Sequence, residues 1–160
     1  MGVSILDKEN RTNELITIKD LFAEDHYYRI PDYQRGYSWG SDKEFLELWK
    51  DILRLYHSNN VNRKHYTGMI TLDEIKTEID IDKENLYDTN SFYIVDGQQR
   101  ITSIIIILKT ILDYAKENEI EPIISNDDYK LLLSGDSGIR RFGYSTKRQD
   151  GADEFFRKRI

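Results

Sequence analysis

The sequence predicts an α/β (α+β) fold, one small mixed sheet with helices, and three observations predict it. Phe45, Leu48, Trp49, Ile52, Leu53 and Tyr56 recur at helical spacing on one face. HYTGMITL (65–72) is a β-favouring run with polar flanks. The apolar run FYIV (92–95) stops at Asp96-Gly97, and after Gln98, Gln99 and Arg100 a second apolar run, ITSIIIIL, begins. The chain has 160 residues, which suits one domain over 1–160 with a core of its own.

Taken in order, ITIKDLFAED (16–25) alternates and then makes a short helical turn, with Ile18, Leu21 and Phe22 on one side. His26–Ile30 reads as a short strand stopped by Pro31, which lacks the ladder donor. DYQRGYSWGSD (32–42) has glycines, aromatics and no apolar period, so it is a loop, with Ser41 or Asp42 capping the helix that runs to about His57. The strand over 65–72 contains Gly68, which marks a bulge or a close backbone approach. Residues 73–91 are acidic and weakly patterned, a surface excursion with room for a short strand or turn. Residues 92–95 form a strand and 101–116 a helix. Tyr129–Leu133, the turn SGDSG and Ile139–Tyr144 suggest a hairpin, and another helix starts near Gly151. The end, EFFRKRI, reads as the middle of an amphipathic element, so a longer protein with a further domain is expected.

Composition excludes several functions. There is no cysteine, hence no disulfide and no thiolate metal site. The N-terminus has no apolar core of signal-peptide length, and the run Ile104–Leu108 is too short to span a bilayer, so a cytoplasmic protein without membrane contact is expected. A net charge of −6 argues against a whole-surface grip on nucleic acid. Arg140, Arg141, Lys147, Arg148, Arg157, Lys158 and Arg159 cluster late and read as a solvated face. His26, His57 and His65 have no metal-ligand spacing, and Asp80, Asp82 and Glu84 lack the glycine and terminal Glu of a calcium loop.

The turn at Asp96 carries the chemistry. Asp-Gly between apolar runs is a hairpin signal, whereas Asp96 followed by Gln99 makes a D-x-x-Q capping box. The spacing of Ile101, Ile104, Ile105, Leu108, Leu112 and Ala115 decides for strand, turn, helix, with Ile106, Ile107 and Ile111 widening the buried stripe. A helix N-terminus attracts anions, Gly97 offers no side chain to block a phosphate, and Arg100 is a cation where the dipole disfavours one unless an anion binds. Simple capping, with Arg100 on a surface acid, explains the same residues. IPDYQRGYSW (30–39) sets Tyr33, Tyr37 and Trp39 around Gln34 and Arg35, a pattern that suits base stacking and phosphate contact or a loop pinned by its aromatics.

With IPDYQRGYSW and YIVDGQQRITS together, and with ITIKDLF, the WKDI helix and HYTGMITL in the same order, residues 14–116 resemble the N-terminal domain of GmrSD-type modification-dependent (type IV) restriction proteins. The resemblance implies a ParB/sulfiredoxin-like fold and binding and hydrolysis of an NTP at a DGQQR motif. It implies a C-terminal HNH-type nuclease domain beyond this chain, and phage defence by cutting modified DNA. Carried onto this chain, the DGQQR positions are Asp96, Gly97, Gln98, Gln99 and Arg100, and the YQR positions are Tyr33, Gln34 and Arg35. Gly36 stands where the family often has Pro. The expected nucleotide-binding residues are Tyr33, Gln34, Arg35, Gly97 and Arg100. The expected catalytic residues are Asp96, Gln98, Gln99 and Arg100, with either glutamine placing the attacking water. Asp96 is expected to hold Mg²⁺ or another divalent cation that accompanies the NTP. DNA, reached through the full-length protein, is the further partner, and a homodimer is compatible with this reading. A binding module with negligible turnover, gating the nuclease, and a purely structural scaffold are the competing classes.

Overall fold

The computed structural model describes residues 2–6, 13–22, 26–58, 60, 62–75, 80–81, 84–85, 90–120 and 140–145, with Glu154 and Lys158 besides. Strands β1 (Gly2–Leu6) and β2 (Asn13–Thr17) pair antiparallel. Then come α1 (Ile18–Leu21), β3 (His26–Ile30), α2 (Glu44–Tyr56) and β4 (Tyr66–Glu74). Two short strands, β5 (Asp80–Ile81) and β6 (Glu84–Asn85), pair with each other, and β7 (Asn90–Asp96), α3 (Gln98–Glu117) and β8 (Phe142–Tyr144) follow. The main sheet is mixed, in the order β2-β1-β4-β7-β3-β8.

Alternation decides which side of the sheet is filled. Tyr28 and Ile30 of β3, Ile70 and Leu72 of β4, Ile94 of β7, and Phe142 and Tyr144 of β8 join Leu21, Phe22, Ile101 and Ile105 in one core. Each fully buried isoleucine there is worth about 1.5–3 kcal/mol. A second stripe of α3, Ile104 and Ile107, packs with Leu48 of α2, flanked by Phe45, Trp49 and Ile52. So α3 is clamped between sheet and α2, as its broad apolar face requires. The stripe reaches the buried Ala115 as expected but is narrower than the sequence implies, because Ile111 is 49% exposed, and the α2 face stops short of Tyr56, which is 80% exposed.

Several expectations are corrected. The helix at Gly97 starts at Gln98, earlier than residue 101. Neither Ser41 nor Asp42 caps α2: Lys43 holds that position without a side-chain bond, while the N–H groups of Lys43 and Phe45 reach back to the Gly40 carbonyl. Arg141 is not on a solvated face; it is 4% exposed and its Nη1 donates to the Phe22 carbonyl at 2.9 Å. Strand β1 was not anticipated. Of the expected hairpin, 129–139 lies outside the described residues, and β8 pairs parallel with β3. Glu154 and Lys158 are helical and pair at 2.6 Å, in keeping with a helix near the end.

Strand direction builds the site. β3 and β7 are parallel neighbours, and β4 runs antiparallel to β7. The carboxyl ends of β3 and β7 and the first residues of β4 therefore meet at one end of the sheet. Both sequence motifs leave from that end.

Candidate functional site

β7 ends at Asp96, Gly97 has φ +90°, and α3 begins at once. That conformation belongs to glycine. The position is also tight: a Cβ would stand 2.9 Å from Ile70 Cγ1 and 3.3 Å from the Met69 carbonyl. The missing side chain of Gly97 thus makes room for β4, a reason for the glycine that the sequence did not reveal. The D-x-x-Q capping box does not form, because no side chain caps α3 and its first turn holds no acid. The N–H groups at the start of α3 have no intrahelical acceptor and carry the positive end of the dipole.

The two glutamines face the loop after β3. Gln34 is placed by a turn closed from its N–H to the Pro31 carbonyl, and its Nε2 donates to the Val95 carbonyl at 2.8 Å. Gln98 Nε2 donates to the Arg35 carbonyl at 3.0 Å and reaches Gln34 Oε1 at 3.4 Å. Gln99 Nε2 donates to the Gly36 carbonyl at 3.0 Å, and its Oε1 accepts from Ser38 N–H at 2.9 Å. Gln98 and Gln99 are 7% and 8% exposed, so these bonds form largely out of water. Ser103 Oγ donates to the Gln99 carbonyl at 2.8 Å. Its single proton is then used, so the 2.9 Å contact with Tyr37 is donated by the tyrosine hydroxyl. The YQR and DGQQR motifs are one hydrogen-bonded unit.

Arg100 points the other way. Its Nη1 donates to the carbonyls of Thr67 and Met69 at 3.2 and 3.0 Å, and its Nη2 stands 3.8 Å from Asp96 Oδ2. The Asp96 side chain is 63% exposed and that of Arg100 is 25% exposed. The expected surface acid is therefore Asp96, four residues back. The dipole penalty on Arg100 is offset by two carbonyls that the sequence did not reveal.

Tyr33 is 69% exposed and Arg35 is exposed as well, although the Arg35 backbone is held by Gln98. Tyr93 lies nearby on β7: burial first, then the charges of Asp32 and Tyr33, hold its hydroxyl above the usual tyrosine range. Burial likewise raises Tyr37, against the opposing bond to Ser103. All eight predicted residues thus sit at one end of the sheet, with Tyr33 at its margin. Sequence reasoning missed Tyr37 and Ser103 as partners and the carbonyls of Thr67 and Met69. Ser103 left a trace, a hydroxyl inside a run of isoleucines, and Gly68 left another.

As a metal centre the arrangement is sparse. Among the described residues no group of three His, Asp or Glu comes together, and His65 stands by Asp51 at 3.6 Å. Asp96 alone, exposed, fits a Mg²⁺ ion that arrives with phosphates, since Mg²⁺ is commonly held by one or two carboxylates plus substrate oxygens. No helix among the described residues is long and apolar enough to cross a membrane. No curated relative and no solved structure matches the chain. The family model of the GmrSD restriction endonuclease N-terminal domain matches residues 18–159, and the chain belongs to that family of restriction-protein modules.

Proposed function

We propose that the chain binds and hydrolyses an NTP as the N-terminal module of a modification-dependent restriction protein in phage defence. In that protein a C-terminal HNH-type nuclease domain acts on modified DNA. The observation that carries the reading is a helix N-terminus without a side-chain cap, with the Arg100 side chain held in its first turn and the Arg35 backbone tied to Gln98. In this reading the N–H groups of Gln98 and Gln99 receive phosphate oxygens, and Arg100 and Arg35 neutralise the charge that develops in phosphoryl transfer. Tyr33 offers a face to the base. Asp96 would hold Mg²⁺, which would neutralise phosphate charge. Of the glutamines, Gln99 Oε1 already accepts from Ser38, whereas Gln98 Oε1 is buried with no described donor, so Gln98 is the glutamine that gives up less by turning toward an attacking water.

The alternative is a sensor that binds without turnover and gates the nuclease. It is favoured by the engagement of both glutamines in holding the loop, which leaves them little freedom to act on water. Melting the chain with each of four NTPs and Mg²⁺ tests binding. Ligand at a hundred times its dissociation constant stabilises the fold by about 2.7 kcal/mol. No shift with any of the four at millimolar concentration removes both readings. Phosphate release, abolished in Asp96→Asn, separates hydrolysis from sensing.

A further inference from the structure

Gly68 lies in β4, 28 residues before Asp96 and 32 before Arg100, the two ends of the turn that it serves. Its φ is +108°, which glycine adopts readily and other residues rarely do. The β1–β4 register slips by one residue there: Gly2 pairs with Tyr66, but Ser4 pairs with Met69. This is a bulge on β4, and it lets the carbonyls of Thr67 and Met69 both reach Arg100 Nη1. The atoms closest to where a Cβ on Gly68 would lie all belong to the Arg100 guanidinium. It would collide with Nη1, stand 2.9 Å from Cζ and stand 3.6 Å from Nε. The space left by the missing side chain is the space that the guanidinium fills.

We infer that Gly68 is a positioning residue for the anion-binding Arg100. The glycine bulge is a cradle that turns Nη1 toward the strand and leaves Nη2 beside Asp96 at the mouth of α3. The inference rests on the nucleotide reading. A bulge that served only the sheet would need the positive φ but not a guanidinium seated in place of the Cβ. Arg100 is the flexible partner, so a side chain at residue 68 displaces the guanidinium before it displaces β4.

The test is a double-mutant cycle, Gly68→Ala and Arg100→Ala alone and together, read in nucleotide affinity and in unfolding midpoint. The probes are ATP, GTP, CTP and UTP, each with Mg²⁺. Arg100→Ala should weaken binding about tenfold or more, the loss of a charge-assisted contact. Gly68→Ala should weaken it comparably, and the double variant should bind no worse than Arg100→Ala. The unfolding midpoint should fall less on Gly68→Ala when Arg100 is already alanine, because the collision is gone and only the strain in φ remains. Additive losses in affinity overturn the role of Gly68 and leave the nucleotide reading intact. If Gly68→Ala fails to fold but the double variant folds, the collision with Arg100 is demonstrated and the inference stands. If neither folds, Gly68 serves the bulge itself and the inference falls. Failure of the wild-type chain to bind any of the four nucleotides overturns the nucleotide reading, and the ligand role of Gly68 with it. That failure is recognised without any variant.

Discussion

Arg100 changes meaning most between sequence and fold. Read along the chain, it is a cation in the first turn of a helix, and its removal should leave the empty protein unchanged or slightly more stable. In the structure its acceptors lie 33 and 31 residues away, and no local pattern announces a backbone carbonyl as a partner. Arg100→Ala should therefore destabilise the ligand-free chain by about 1 kcal/mol, since two carbonyls, one part-buried and one exposed, lose their donor. The comparison is Arg54→Ala, whose side chain is 71% exposed beside Asp51 and whose loss should stay within about 0.5 kcal/mol. Urea midpoints with unchanged slopes measure both. Equal midpoints for the two variants would show that the carbonyl bonds contribute nothing.

Between residues and molecule stands the loop from Pro31 to Lys43, held on the first two turns of α3 by side chains of the helix. Its end toward β3 is tied through Gln34 and Gln98, its middle through Gln99, and Tyr37 reaches deepest, to Ser103. The sequence left the loop's aromatics open between base stacking and pinning the loop, and it did not reveal which partner Tyr37 would take. The capping box failed for the same reason: Gln99 has two polar ends, and the loop offered an acceptor and a donor that outcompeted its own helix end. Tyr37→Phe should remove about 1 kcal/mol of stability, one net hydrogen bond. It should also change the response to alkali. Burial raises the Tyr37 hydroxyl above its ordinary 10.0, so its contribution is intact below that pH and is lost as pH rises through the higher folded value. The melting midpoint of the wild type should then fall more steeply above about pH 10 than that of Tyr37→Phe, which keeps the parallel effect of Tyr93. Identical slopes would remove Tyr37 from the account.

At the scale of the whole molecule, the sequence revealed the local elements and concealed their assembly. The strand over 92–95, the α2 face and the buried helix followed from apolar spacing, which is a property of neighbours in the chain. Strand β1 did not, although it pairs with the nearby β2, and its parallel pairing with β4 spans some sixty residues that no local pattern joins. The convergence of Arg35, Asp96, Arg100 and Gly68 likewise follows from the directions of β3, β4 and β7, which no single segment carries. That assembly gathers Arg35, Asp96, Arg100 and the start of α3 at one end of the sheet, a set that suits the proposed nucleotide rather than a cut in DNA. Its three histidines lie apart in sequence without HNH context, and among the described residues no three metal-ligating side chains meet. The 160-residue chain, purified and incubated with Mg²⁺ or Mn²⁺, should therefore leave both modified phage DNA and unmodified DNA intact at enzyme excess. A trace of contaminating nuclease would survive any change in this chain. Cleavage that is lost in Asp96→Asn, a substitution on the exposed carboxylate beside Arg100, would instead place the cutting site within these residues and remove the reason for proposing a separate nuclease domain.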